Sequence, residues 1–186
     1  MRLFVAVEIA DEARQVAADV ADRLRNELGS TVTARWANPA NMHLTVRFIG
    51  HVVNERVPAV LDALRPSVRV APFDVVLGAC GVFPSSGTPR VIWIGLREGV
   101  HSLAAMHEEF NRRLEPLGFD SEDRPYSAHL TLARLKDGRS SVRRTIAGNI
   151  VTPVRWRVTK AAVFQSLLSP RGSRYQRLLD VPCEEP

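Results

Sequence analysis

Short apolar runs alternate with amphipathic stretches along the whole chain. Residues 2–9 (RLFVAVEI) form a nearly continuous apolar run of strand length. Asp11 is then a credible N-cap for a helix that runs to about Leu28 and stops before Gly29. A strand is expected at about 42–49, followed by a helix at about 54–65 that Pro66 ends. Residues 73–83 and 90–97 read as two strands, and the turn PSSGTP between them makes a hairpin. A long helix over about 100–116 places Leu103, Met106, His107, Phe110 and Leu114 on one side. Another short strand follows from His129, then a charged connector (KDGRSSVRR), a strand at about 154–165 and a last strand at about 174–180.

Within this alternation one tripeptide occurs twice, as His43-Leu44-Thr45 and His129-Leu130-Thr131, and a helix precedes each copy. With only five histidines in the chain, chance recurrence is roughly one in a hundred or less, so the duplication calls for a mechanism. The separation is far too long for a solenoid repeat, and no Ser/Gly-rich linker divides the chain. Residues 1–186 are therefore expected to form a single domain of two related lobes, whose pseudo-two-fold axis places the two His-x-Thr faces across one cleft.

In a strand, alternate side chains share a face, so His43 and Thr45 point one way, as do His129 and Thr131. Leu44, Val46 and Phe48 then form an apolar face, and Leu130 and Leu132 form another. Simple counting also puts Arg47 on the face of His43 and Thr45. It puts Arg134 on the face opposite His129, unless the strand bulges or ends there.

Two imidazoles facing each other suit in-line displacement at phosphorus, which needs a base behind the nucleophile and an acid at the leaving oxygen. Histidine does either job near neutral pH. The neighbouring threonine hydroxyls are placed to hydrogen-bond the non-bridging oxygens. The residues alone leave open which histidine is the acid.

Charge adds to this picture. The chain of 186 residues carries a formal +5 and a pI of about 10.0, and Lys136 and Lys160 are its only lysines. Arginine's planar fork matches phosphate oxygens, which makes a polyanion such as RNA a plausible partner. At 45% hydrophobic residues a core is ample, no apolar stretch nears a membrane span, and the N-terminus lacks a signal-peptide pattern. A cytoplasmic protein is expected, with no membrane partner.

Other chemistries find less support. Cys80 and Cys183 make neither a disulfide framework nor a zinc pattern. His101 and His107 are six apart, off the i, i+4 face of a helical ligand pair, and no HExxH occurs, so no metal is expected. His51, His101 and His107 are expected to be structural. The phosphate-loop, nucleophile-elbow and GxGxxG motifs are absent, so no nucleotide or other cofactor is expected.

The segments RLFVAVEI, WANPANMHLTVRFIG, CGVFPSSGTPRVIWIGL, PYSAHLTLARLK and VFQSLLSPRGSRYQRL span nearly the whole chain. Together they resemble the 2H phosphoesterase superfamily, and within it the RNA 2′,3′-cyclic phosphodiesterases, also called 2′-5′ RNA ligase-like proteins. The signature is the doubled His-x-Thr-x, here HLTV at 43–46 and HLTL at 129–132. The resemblance implies an α+β bilobal fold, with two antiparallel sheets lining a central cleft and helices outside. It implies hydrolysis of a 2′,3′-cyclic phosphate RNA or nucleotide end to a 2′-phosphomonoester. By analogy His43 is the proton donor to the departing 3′ oxygen, His129 the proton acceptor, and Thr45 and Thr131 bind the phosphate.

Arg134 matches a basic residue that often follows the second motif, and Arg47 is a further binding candidate. Phe48, Tyr126, Trp36 and Tyr175 are the aromatic candidates for stacking on a nucleobase, against the ordinary core role of a strand aromatic. Ala128 departs from the proline common before the second histidine, which removes a backbone constraint but no catalytic group. Two further readings stay open: 2′-5′ ligation at the same site, and a non-catalytic RNA-binding module. A cleft built within one chain needs no second copy, so a monomer is expected.

Overall fold

The computed structural model describes residues 1–121, 125–169 and 172–185. In chain order the regular elements are β1 (Arg2–Glu8), α1 (Asp11–Leu28), β2 (Ala34–Trp36), β3 (His43–His51), α2 (Val57–Leu64), β4 (Phe73–Phe83), β5 (Val91–Glu98) and α3 (Val100–Leu114). They continue as β6 (Leu130–Leu135), α4 (Ser141–Ala147), β7 (Arg155–Val158), β8 (Lys160–Ser169) and β9 (Gly172–Pro182). No described helix is long and apolar enough to cross a membrane.

The fold is α+β, with one curled antiparallel sheet in the order β7-β4-β5-β6-β3-β1-β8-β9 and β2 paired onto β6. It is made of two halves, β3-β1-β8-β9 and β7-β4-β5-β6, whose strands meet, among the described residues, through a single residue pair, Leu44 with Leu130. The expected pair of sheets is thus continuous at its centre. Each half contributes a strand, a helix and a motif strand in that order: β1, α1, β3 and then β5, α3, β6. The helices cross over, α1 packing against β6 and α3 against β3, so each covers the other half's motif strand. Their apolar stripes, including Leu24 from α1 and Leu103, Met106 and Phe110 from α3, join Leu44 and Leu130 in one core, all fully buried.

The stretch expected as one strand at 154–165 is two strands in different halves. Thr159 alone separates β7, at the edge of one half, from β8, inside the other. The α-carbons on either side of one residue lie at most about 7 Å apart, which draws the two halves together at this end and curls the sheet. The connector KDGRSSVRR runs into α4, anchored by buried Val142 and Ile146. Two apolar positions among arginines and serines are too few to announce a helix.

Other differences are local. Asp11 is not the N-cap of α1; Ala10 holds the extended cap conformation, and Asp11 is in the first turn, where its charge complements the helix dipole. The helix expected at 54–65 begins as a 3₁₀ turn, Asn54–Arg56, before α2. Pro170 and Arg171 of the VFQSLLSPRGSRYQRL segment lie outside the described residues.

Because the halves join at Leu44 and Leu130, truncation there opens the middle of the core. Leu130→Ala is expected to cost about 2–5 kcal/mol in urea-induced unfolding. A cost below about 1 kcal/mol would contradict the central position given to this pair.

Candidate active site

Both motif strands break their alternation immediately after the threonine. In the β1–β3 ladder Ala6 pairs with Thr45 and Val5 with Arg47, which leaves Val46 as an extra residue. In the β5–β6 ladder Trp93 pairs with Thr131 and Ile92 with Ala133, which leaves Leu132 extra. A bulge resets the faces. Val46 and Arg47 are both buried while Phe48 turns outward, and Leu132 and Ala133 are both buried while Arg134 turns outward.

These two bulges correct the counting along β3. Arg47 does not face the cleft: it is 4% exposed, and its guanidinium donates to the carbonyls of Phe48 at 3.0 Å, Phe119 at 3.4 Å and Asp120. Phe48 is not on the face of Leu44 and Val46. It lines the cleft at 40% exposure, with the Arg2 guanidinium 5.3 Å from its ring centroid. Arg134 reaches the side of Thr131 because β6 bulges, the condition strict alternation required.

The Leu44–Leu130 pair sets the register at the centre. In an antiparallel pair it places His43 across from Thr131 and Thr45 across from His129, all four on the face opposite the core. Each imidazole is fixed the same way. His43 Nδ1 donates to the Asn41 carbonyl at 2.7 Å, and His129 Nδ1 donates to the Ser127 carbonyl at 2.7 Å. These bonds leave Nε2 of both rings for chemistry, and His43 Nε2 lies 3.1 Å from the Thr45 hydroxyl.

Aromatic rings hold each imidazole. His43 stacks on Phe4 at 4.9 Å and meets the edge of Tyr175 at 5.2 Å. His129 meets Phe83 edge-on at 5.0 Å and stands 6.4 Å from Trp93. The Trp93 indole lies across Gly81, where an added Cβ would come within 2.3 Å of the ring.

Burial lowers the pKa of both histidines, because it penalises the charged imidazolium. For His43 the carbonyl bond opposes this, and the nearby charges of His129 and Arg14 add to it. For His129 the carbonyl bond again opposes, and Arg134 adds.

A cavity of about 380 Å³ opens beside this face, lined by His43, Thr45 and Thr131 together with Trp36, Phe48 and Tyr175. Arg134 also lines it, whereas His129 stands outside its lining, against Phe83 and Trp93. Tyr126, expected among the stacking aromatics, is elsewhere. Its ring stacks on buried His107 at 4.6 Å and its hydroxyl donates to the Thr45 carbonyl at 3.0 Å. His107 Nδ1 donates to the carbonyl of the bulged Val46 at 2.7 Å, and its Nε2 accepts from the Asn111 amide at 2.9 Å.

Buried His107 and Asn111 and half-buried Tyr126 thus prop the first motif from behind, and apolar periodicity alone marked only the helix face of α3. His51 and His101 are exposed. Burial pushes the Cys80 thiol up to about 11, which leaves it un-ionised and unreactive near neutral pH.

Two consecutive segments match one family: residues 7–93 and 94–175 each match the LigT-like phosphoesterase model, one motif in each. The chain belongs to the LigT-like phosphoesterase family. Proteins named RNA 2′,3′-cyclic phosphodiesterase are similar to it along most of their length. That of Thermotoga maritima is 28% identical over 99% of this chain and 96% of its own. Those of Archaeoglobus fulgidus and Aeropyrum pernix are 31% and 33% identical, covering 96% and 86% of this chain and 98% and 92% of theirs. Among solved structures, one from Thermus thermophilus superposes with a TM-score of 0.78 at 28% identity, covering 100% of this chain and 99% of that one. Escherichia coli LigT complexed with 3′-AMP shares the fold, with a TM-score of 0.76 at 24% identity over 99% and 98% of the two chains.

Two substitutions test the supports of this LigT-like site. Tyr126→Phe keeps the ring and loses only the bond to Thr45, so a stability loss of about 0.5–1.5 kcal/mol is expected in thermal unfolding. Unchanged stability would show that the hydroxyl does not support the Thr45 backbone. Gly81→Ala forces the Trp93 ring off its seat and is expected to cost about 1–3 kcal/mol. A variant as stable as the parent would show that the indole moves freely.

Proposed function

We propose that this protein is a cytoplasmic RNA 2′,3′-cyclic phosphodiesterase that opens the cyclic phosphate to a 2′-phosphomonoester by proton transfer between two histidines. The observation that carries the reading is the paired geometry of the motifs. Two Nε2 atoms are presented from adjacent antiparallel strands, each ring held at Nδ1 by a carbonyl and each facing a threonine of the other strand. The naming of the relatives supports the substrate, and the arginine-rich +5 chain suits RNA. Both cysteines are free thiols, in keeping with the cytoplasm.

The chemistry follows from the atoms. Neutral His129 takes a proton from water through Nε2 as the oxygen attacks phosphorus. His43, as the imidazolium, gives its Nε2 proton to the 3′ oxygen as the P–O3′ bond breaks. The 2′ ester survives, and the histidines end with their protonation states exchanged, ready to re-equilibrate with solvent. Thr45 and Thr131 donate hydroxyl bonds to the non-bridging oxygens, where charge is greatest in the transition state. Arg134, on the same side as Thr131, adds positive charge. All these groups come from one chain, so the site is complete in a monomer.

The test is to incubate purified, EDTA-treated protein with a nucleoside 2′,3′-cyclic phosphate and identify the product. A 2′-phosphate is expected without added metal. A 3′-phosphate would overturn the assignment of the leaving oxygen, and metal-dependent turnover would overturn the two-histidine chemistry. His43→Ala and His129→Ala should each lower kcat by at least ~10²-fold with the fold retained. Near-parental activity in either would refute that histidine's role.

A further inference from the structure

Each motif imidazole takes its orientation from the carbonyl two residues before it, and the two carbonyls are held in different ways. The Asn41 carbonyl belongs to the 3₁₀ turn Pro39–Asn41, where the Asn38 side chain accepts from the Ala40 N–H at 3.0 Å. The Asn41 N–H donates to the Asn38 carbonyl at 2.8 Å, and the Asn41 side-chain amide reaches the Ser173 carbonyl of β9 at 2.6 Å. The support of His43 is built into local structure.

The Ser127 carbonyl, which holds His129, has no such frame. Residues 125–129 approach β6 as irregular backbone, and among the described residues no backbone group of 125–128 bonds another backbone group. The segment is tied to the sheet by a side chain instead. The Tyr126 hydroxyl donates to the Thr45 carbonyl at 3.0 Å, and burial pushes the phenol pKa up, so the donor keeps its proton. Behind it, the His107 ring stacks on the Tyr126 ring at 4.6 Å and 18° while donating to the Val46 carbonyl. Two stacked rings therefore take two consecutive carbonyls of β3, at the point where the bulge disrupts the ladder.

The consequence falls on the other motif. Thr45 lies across from His129, so the contacts run from the Thr45 carbonyl to the Tyr126 hydroxyl, along the chain to the Ser127 carbonyl, and from there to His129 Nδ1. An imidazole with its proton on Nδ1 has an Nε2 lone pair to accept another, and the opposite tautomer has none. Whatever fixes the Ser127 carbonyl fixes the tautomer in which His129 is a base.

We propose that Tyr126 is the positioning residue of the proton acceptor: by anchoring residues 125–128 to Thr45, it holds the Ser127 carbonyl on His129 Nδ1 and keeps Nε2 open. The proposal rests on the acceptor role given to His129 above. His107 acts one step further back, as the ring that seats Tyr126.

Tyr126→Phe in the intact protein is the test, because it keeps the ring and its stack on His107. Nitrogen-15 NMR of the imidazoles, at a pH about two units above the ordinary histidine value, reads the tautomers. Turnover of cytidine 2′,3′-cyclic phosphate reads the reaction. In the parent, His129 is expected as the Nδ1–H tautomer. In the variant it should mix with the Nε2–H form while His43 stays Nδ1–H, and kcat should fall by about threefold to tenfold with KM changed by less than about twofold. A tyrosine that merely stabilises the fold would leave the tautomer of His129 alone. A single Nδ1–H tautomer for His129 in the variant would therefore overturn the proposal, whatever the rate. A mixed tautomer with parental kcat would overturn instead the acceptor role of His129, and a parent without turnover would overturn the cyclic phosphodiesterase reading.

Discussion

The pairing of Leu44 with Leu130 is the constraint on which the site depends. Among the described residues it is the one strand pairing that joins the two halves of the sheet, and antiparallel register there leaves no freedom in what faces what. His43 must lie across from Thr131, and Thr45 across from His129. A one-residue slip of either strand would send its imidazole into the core and its leucine into the cleft. The fully buried leucines, covered by the crossed helices α1 and α3, make that slip expensive, so the apolar core holds the polar face in register.

The bulges extend the same logic outward. Each follows its threonine directly, so the fifth position after each histidine turns into the cleft, with Phe48 in one half and Arg134 in the other. The symmetry of the backbone is thereby filled with unlike chemistry, an aromatic face on one side and a cation on the other. The bulge in β3 leaves a carbonyl outside the ladder, and His107 satisfies it. The chain of bonds from the Asn111 amide through buried His107 to Val46 favours one arrangement of the strand. Burial that holds the imidazoles in place also disfavours their charge, and the Nδ1 carbonyl bonds partly restore it. The result is two rings that both titrate on the acid side of an ordinary histidine.

Much of this was legible in the chain. The doubled His-Leu-Thr, the strand and helix before each copy and the apolar stripe of α3 are short-period patterns that depend only on neighbours. What was not legible depends on pairing partners. A bulge leaves no mark in alternation, so Arg47 and Phe48 exchanged places, and the division of 154–165 between two halves follows from closing the sheet. Tyr126 was visible as an aromatic beside a motif, but its partner Thr45 lies on another strand.

The central claim is that the two histidines act as a matched acid and base, and the pH dependence of kcat/KM measures it most directly. The rate should rise as pH climbs through the pKa of the base, and fall as pH climbs through the pKa of the acid. Since burial lowers both pKa values, the bell should peak below the ordinary histidine value of 6.5. His129→Ala should lose the rising limb and His43→Ala the falling one. A bell that keeps both limbs in either variant, or one that peaks well above neutrality in the parent, would contradict the account.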